Sequence, residues 1–321
     1  MYNQDQRKVV LVGTGMVGMS YAYALLNQPI CNELVLIDID KKKAEGEAMD
    51  LNHGLAFASS HMKIRAGEYA DCHDADLVVI CAGVAQKPGE SRLDLLQRNA
   101  DVLRSIVEPI VESGFSGIFL AATNPVDVIT QIIRDLSGFP AERVIGSGTT
   151  LDSARLRYMI GDYFHVDPRN VHAYVIGEHG DTEFVPWSQA MISTKSVLEL
   201  CGEMENMENG CKFCDLVEIG DQVRTSAQKI IEAKKATYYG IGMSLVRITK
   251  AIFDDENSVL TVSVLTNGQY GIHGVYLGLP AIINRNGVRS ILNLRLSEEE
   301  VAKLQQSAAT LAEFYAKLRI K

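Results

Sequence analysis

A short apolar run, Val9-Val10-Leu11-Val12, leads directly into Gly13-Thr14-Gly15-Met16-Val17-Gly18, and a helical stretch follows that ends before Pro29. No other feature of the chain constrains its fold as tightly. Three glycines spaced in this way also occur in plain loops, but a strand before them and a helix after give each a separate job. The first makes the turn, the second lets a pyrophosphate approach the backbone, and the third lets helix and strand pack closely. The helix start at Met16 and Val17 then offers unpaired N–H groups and partial positive charge to phosphates. The next apolar run, Leu34-Val35-Leu36-Ile37, ends at Asp38, and 38 − 18 = 20 residues separate that acid from the last glycine. A carboxylate there can accept hydrogen bonds from both ribose hydroxyls of NAD and repels the extra phosphate of NADP. The expected cofactor is NAD.

The alternation continues along the chain. A charged helix is expected from about Lys41, a strand over 62–66, and buried strands at Leu77-Val78-Val79-Ile80 and Ile118-Phe119-Leu120-Ala121. A long helix over 92–111 lies between those two strands, Pro125 opens another helix, and Val144-Ile145 supplies a sixth strand. Apolar strands alternating with helices predict an α/β fold, a doubly wound parallel sheet of the Rossmann kind, over residues 1–146. Beyond Gly146 the pattern changes. A helix over 151–164 precedes the apolar run 171–176, and strands over 258–266 and 274–278 read as antiparallel. Residues 147–321 are therefore expected to form a mixed α+β domain that carries the substrate site. Ser297-Glu298-Glu299-Glu300 reads as a capping box, and Val301, Leu304, Ala308, Leu311, Tyr315 and Leu318 recur at helical spacing. That stripe is core packing, and with no linker or repeat the two halves should pack tightly.

Composition narrows the function classes. Hydrophobic residues at 47% and charged residues at 22% describe a globular chain with an ample core. A formal net charge of −9 argues against nucleic-acid or anionic-membrane partners, which need a basic face. It leaves room for a small anionic substrate held by one or two arginines. Glycines interrupt the apolar run near the N-terminus, so no signal-peptide pattern is present, and no apolar span approaches membrane length. Six scattered cysteines suggest a reducing cytoplasm. Cys211 and Cys214 form a C-x-x-C with Cys201 nearby, yet no histidine lies close enough to complete a zinc site. These thiols are expected to be free, and no metal is expected.

The chemistry centres on Gly177-Glu178-His179-Gly180-Asp181. A histidine in a turn is more often an ordinary surface residue, but this one sits between glycines that leave room for a substrate, and histidine exchanges protons near neutral pH. Asp152 and Arg155, three apart on one helical face, usually make a weak surface pair. If buried, the arginine becomes a fork for a carboxylate. The loop Ala82-Gly83-Val84-Ala85-Gln86-Lys87-Pro88-Gly89-Glu90-Ser91-Arg92 follows the fourth strand at the edge where ligands bind, and it could close as a lid carrying Gln86 and Arg92 inward.

Taken together, G-T-G-M-V-G, A-G-V-A-Q-K-P-G-E-S-R, A-T-N-P, G-S-G-T-T-L-D-S-A-R, G-E-H-G-D and K-K-A-T-Y-Y-G resemble, in order and nearly end to end, the lactate/malate dehydrogenase family, and within it the bacterial L-lactate dehydrogenases. The resemblance implies that His179 is the acid/base and that Asp152 orients it and stabilises its charged form. It implies further that Arg155 clamps the substrate carboxylate and Arg92 polarises the carbonyl at C2. Asn124 and Ser147 fall where the family contacts substrate or nicotinamide, and Thr237 lines the side-chain pocket. Gln86 would select among hydroxy acids, because the family's malate enzymes carry arginine there for a second carboxylate. A neutral glutamine implies pyruvate and lactate, with malate or another 2-hydroxy acid as the alternative. The family is usually a tetramer, and its bacterial members often bind fructose bisphosphate, at positions matched here by Arg157 and His172. Phe184-Val185-Pro186-Trp187 departs from the order, proline before valine, seen in many of these enzymes. Two other classes compete. A silent NAD-binding structural protein has no physical need for Arg92, Asp152, Arg155 and His179 together. An NAD-using glycosidase needs a metal-binding cysteine and histidine that this chain does not place.

Overall fold

Six parallel strands form the first half of a single sheet: β1 (Lys8–Val12), β2 (Glu33–Ile37), β3 (Lys63–Ala66), β4 (Leu77–Ile80), β5 (Ile118–Ala121) and β6 (Val144–Gly146). The structure is a computed structural model and describes residues 7–59, 61–84, 92–204 and 210–318. The strands lie side by side as β3-β2-β1-β4-β5-β6. β1, β4, β5 and β6 are buried at every residue, as expected for parallel strands covered on both faces, and this is why their sequences are apolar without alternation. Helices α1 (Met16–Leu26), α2 (Lys41–Gly54), α3 (Arg92–Glu112) and α4 (Val126–Ser137) make the crossovers. Between β1 and β4 the strand order reverses, and the resulting crevice at the strand ends is where such sheets bind ligands.

The change of pattern after Gly146 does not end the sheet. β10 (Ser258–Asn267) pairs antiparallel with β6 through Ser263 and Gly146, and β11 (His273–Asn284) and β12 (Gly287–Ile291) continue outward to complete nine strands. α5 (Thr150–Tyr163) packs against β10 and α8 (Tyr239–Phe253), and α8 lies against α1. A second apolar cluster gathers Leu156 and Ile160 of α5 with Val197 of α6 (Val197–Met204) and Leu216 and Val223 of α7 (Phe213–Lys234). β7 (Val171–His172), β8 (Met191–Ile192) and β9 (Lys195–Ser196) form a small antiparallel sheet beside it. The closing helix α9 (Glu298–Ala316) starts as its sequence predicts. Ser297 Oγ accepts from the Glu300 N–H, and the Glu300 carboxylate accepts from the Ser297 N–H.

One apolar run is only partly strand, and one expectation needs correction. Of the apolar run 171–176, only Val171–His172 is strand, while Ile176 bridges to Phe184 and turns the intervening residues into a hairpin. The thiols of Cys201 and Cys211 are not free but form a disulfide. The cause is tertiary: α6 and the start of α7 meet in the second apolar cluster, which brings the two Cα atoms within 4.8 Å, although ten positions separate them in sequence. Cys214 remains a free, exposed thiol, and Cys31 and Cys72 are free and buried. Among the described residues, no helix is long and apolar enough to cross a membrane.

Candidate active site

At the end of β1 the chain turns at Gly13, whose φ of +101° excludes most side chains, and its N–H donates to the Ile37 carbonyl at the end of β2. The three glycines differ in what surrounds them. A Cβ on Gly18 would lie 2.0 Å from the Gly13 carbonyl oxygen, and one on Gly13 would lie 2.6 Å from the backbone nitrogen of Ala82. Around Gly15, the residue that caps α1, there is no other atom within 4 Å of that position. The outer glycines are therefore closed by packing, and the middle one opens a cradle at a helix N-terminus, which fits a pyrophosphate. Met16 and Val17 open the helix beside it. Asp38 lies across the turn, where its carboxylate accepts from the Thr14 N–H and hydroxyl, both at 2.8 Å, and from the Asp40 N–H at 3.0 Å. Partial burial would raise its pKa, but these hydrogen bonds win and hold it below the ordinary value, so the group facing the cradle is anionic. Ser147 is buried at the end of β6, its N–H bonded to Ala121 of β5.

The segment carrying His179 is fixed from four sides. Ile176 and Phe184 exchange two backbone hydrogen bonds at 3.0 Å. Gly177 and Gly278 of β11 do the same at 2.8–2.9 Å, and a Cβ would lie 2.9 Å from Ser307 Oγ on Gly177 and 2.6 Å from Thr149 Oγ1 on Gly278. Ser307 of α9 accepts the Glu178 N–H at 2.7 Å, and Asp127 of α4 accepts the His179 N–H at 2.8 Å. The imidazole Nδ1 meets Asp152 Oδ2 at 2.7 Å, and Arg155 Nη1 donates to Asp152 Oδ1, also at 2.7 Å. Asp152 is 1% exposed. Burial opposes its charge, yet His179 and Arg155 together hold its carboxyl below the usual range. Burial likewise opposes the imidazolium, and the Asp152 charge and hydrogen bond, joined by Glu183, overcome it and raise the His179 pKa well above its ordinary value. Asp152 occupies Nδ1, which leaves Nε2 for proton exchange.

His179 and Asn124 share the wall of a cavity of about 280 Å³ with Leu95 and Leu96 of α3 and Leu311 and Phe314 of α9. Arg155 stands one residue back, ion-paired to Asp152 and with a side chain 12% exposed. The remaining expected residues are less closely gathered. Thr237 is half-buried in the connection from α7 to α8 and does not line this cavity. Gln86 and the rest of the expected lid, 85–91, lie outside the described residues. The Arg92 backbone opens α3, but its side chain also lies outside them. Arg157 of α5 donates through Nε to the Pro168 carbonyl at 3.3 Å, and His172 is exposed on the adjacent β7.

Sequence reading missed two buried acids. Asp127 joins His179 to Ser263 of β10, whose hydroxyl donates to Asp127 Oδ1 at 2.6 Å, and burial pushes the Asp127 carboxyl up to about 6. Its signal was an acid in Val126-Asp127-Val128-Ile129, a helix start with no polar face to send it to solvent. Glu183, 7% exposed, has Oε2 3.8 Å from His179 Nδ1. Nothing in its spacing marked it, because a hairpin turn has no period.

Comparison with known proteins adds the following. Residues 7–146 match the family model described as lactate/malate dehydrogenase, NAD binding domain, and residues 149–318 match its alpha/beta C-terminal domain. L-lactate dehydrogenase 2 of Bacillus cereus is 57% identical over 309 residues, covering 96% of this chain and 97% of that protein. L-lactate dehydrogenase 1 of Bacillus anthracis is 56% identical over the same shares. Among solved structures, a lactate dehydrogenase from a Medee basin deep-sea metagenome library superposes with a TM-score of 0.94 at 55% identity, covering 97% of this chain and 98% of that one. The minor L-lactate dehydrogenase of Enterococcus mundtii in its ligands-bound form also gives 0.94, at 47% identity and 98% and 99% coverage.

Proposed function

The chain belongs to the lactate/malate dehydrogenase family, and from that premise we propose that it is an NAD-dependent L-lactate dehydrogenase whose acid–base group is His179. It interconverts pyruvate and (S)-lactate. The observation that carries this reading is the chain of contacts Arg155–Asp152–His179 at the wall of a cavity beside the cofactor crevice. A guanidinium has five N–H donors; the bond to Asp152 uses one of them, and the others serve the substrate carboxylate. His179, held as imidazolium, donates the Nε2 proton to the carbonyl oxygen as that oxygen becomes an alkoxide. When bound, NADH supplies the hydride that goes to C2. Arg92 stabilises the developing oxyanion, Asn124 and Ser147 contact substrate or nicotinamide, and Thr237, although it lies off the cavity that His179 lines, is assigned to the substrate's side-chain pocket by the family resemblance. Gly13, Gly15, Met16, Val17, Gly18 and Asp38 hold the dinucleotide. The division between cofactor and substrate domains falls at Gly146.

Gln86 sets the choice of acid. A neutral amide cannot balance the second carboxylate of oxaloacetate, and an unpaired buried charge costs several kcal/mol. The enzyme's place is the fermentative end step of glycolysis in the cytoplasm. The proposed assembly is a homotetramer, which would cover exposed apolar side chains such as Met49 of α2 and Tyr239 and Met243 of α8, and Arg157 with His172 would bind fructose bisphosphate across an interface. Following NADH absorbance with pyruvate, oxaloacetate, phenylpyruvate and 2-oxoisocaproate, with and without the sugar bisphosphate, tests the reading. Pyruvate should be reduced fastest, and Gln86→Arg should shift preference toward oxaloacetate. An unchanged preference in that variant removes the role of Gln86, and no turnover of pyruvate removes the function.

A further inference from the structure

The ring nitrogen of His179 that meets Asp152 faces a second carboxylate. Glu183 Oε2 is 3.8 Å from Nδ1, against 2.7 Å for Asp152 Oδ2, and the imidazole nitrogen and the two carboxylate oxygens lie within 4.8 Å of one another. The hairpin closed by Ile176 and Phe184 fixes this geometry, since it returns position 183 to the side of position 179, and the Glu183 N–H donates to the Gly180 carbonyl within the turn. The Glu183 side chain is 5% exposed, and among the described residues His179 is its sole ion-pair partner. Burying a carboxylate is costly unless it is paired, so His179, its ion-pair partner among the described residues, defines what it does.

We propose that Glu183 is a positioning residue for the acid–base step: its carboxylate, seated beside the nitrogen that Asp152 occupies, helps hold His179 as imidazolium and so sets the pH at which the ring becomes a base. The other charged groups around the pair leave this role to Glu183. On α5, Asp152 is shared with Arg155, which the substrate carboxylate also needs. On α4, Asp127 faces the His179 backbone and Ser263. In the same turn Glu178 takes the Thr182 hydroxyl, and Asp181 lies at the cavity wall. The Arg92 side chain lies outside the described residues. Burial raises the Glu183 carboxyl above its ordinary value, against the opposing pull of His179. As the pH rises Glu183 ionises, and its charge then stiffens the hold on the imidazolium. The site keeps its proton donor further into the alkaline range than one carboxylate would allow.

This inference rests on the reading of His179 as the acid–base group, and the experiment separates the two. Profiles of kcat/KM against pH are measured for pyruvate reduction and lactate oxidation in the native enzyme, Glu183→Gln and Glu183→Asp. The glutamine variant should move the alkaline limb of reduction and the acid limb of oxidation down together by about one pH unit. Oxidation at neutral pH therefore gains relative to reduction, and aspartate should shift both limbs less. Structural damage would instead lower both directions without moving either limb, and unmoved limbs in an active glutamine variant overturn the proposal. Inactivity of the native enzyme on pyruvate overturns the functional reading itself. Should the glutamine variant not fold, carbon-13 carboxyl spectra of the native enzyme decide. A glutamate resonance that titrates above the ordinary glutamate range and responds to oxamate supports the role, and the lack of any such resonance overturns it.

Discussion

Gly18 and Gly15 are three residues apart, and the structure predicts opposite consequences for adding one methyl group to each. At Gly18 the new Cβ lies 2.0 Å from the Gly13 carbonyl oxygen, whereas ordinary contact begins near 3.4 Å, so the atoms must separate by about 3.4 − 2.0 = 1.4 Å. No side-chain rotation relieves a clash with a backbone carbonyl. The turn cannot retreat, because Gly13 is itself pressed against Cys81 and Ala82. The start of α1 has to move instead, dragging Tyr21 and Leu25, both fully buried. Overpacking of this kind costs about 1–3 kcal/mol of stability. Displacing the helix N-terminus also loses a hydrogen bond to an anionic phosphate, worth ~1.5–3 kcal/mol, which weakens NADH binding roughly 10- to 150-fold. At Gly15 the φ of −75° suits alanine and the Cβ meets nothing within 4 Å. Gly15→Ala should melt as the native protein does, yet fill the cradle and weaken NADH. Fluorescence titration with NADH and thermal melts on both variants test the pair. If folded Gly18→Ala bound NADH within twofold of the native enzyme, or Gly15→Ala bound it normally, the assignment of packing to one glycine and ligand approach to the other would be wrong.

Three further outcomes are expected. The raised pKa of His179 keeps the imidazolium through neutral pH, so pyruvate reduction should fall and lactate oxidation rise as the pH climbs through that pKa; Asp152→Asn should bring both limbs to lower pH and cut turnover on the order of 100-fold or more, and steady-state rates in both directions give the answer. Asp127 binds its proton more tightly folded than unfolded, since its carboxyl sits near 6, so native stability relative to Asp127→Asn should fall by ~3 kcal/mol as the pH rises from 4 to 6 and stay flat above; urea unfolding of both proteins across that range measures it. The Cys201–Cys211 bridge closes a short loop worth about 2–3 kcal/mol; Cys201→Ser should lower the Tm under oxidising conditions and match the native protein under a dithiol reductant, which calorimetry checks.

Most strands of the first half were legible because they are buried on both faces. Such strands write themselves as unbroken runs like Leu77-Val78-Val79-Ile80, and Ser297 with Glu300 marks the last helix through a purely local bond. Local signals do not name partners, however. Nothing in Val144-Ile145-Gly146 said that its far edge would receive Ser263, more than a hundred residues later, and extend one sheet across both halves. The Cys201–Cys211 bridge escaped notice for the same reason. In the candidate site, His179, Asp152 and Arg155 were legible as residue types suited to proton exchange and carboxylate binding, and the structure brings them into contact. Their closeness is a product of packing, because α5 meets the hairpin of 177–183 only in the folded chain. Asp127 and Glu183 carry no motif of their own, and their importance follows from burial, which a sequence does not print.

Asp127 shows why the two halves act as one site. Its two oxygens receive two different donors, the His179 N–H at Oδ2 and the Ser263 hydroxyl at Oδ1, so it ties the first turn of α4 to the catalytic hairpin and to β10 at once. An asparagine has one carbonyl oxygen and could accept only one of these bonds unless the serine reversed its hydroxyl. A carboxylate meets both donors at the cost of a raised pKa, and burial is what keeps the geometry stiff. α4 follows directly from β5, one of the strands whose ends frame the cofactor crevice, with Asn124 at the cavity wall between them. A shift at that strand end therefore reaches the His179 backbone through one helix turn and one hydrogen bond. Hydride and proton must reach neighbouring atoms of one small substrate, and misplacement by an ångström forfeits much of the rate. On the proposed reading of His179 as the proton donor, tying its backbone to the cofactor's own sheet removes one freedom that would allow such an error.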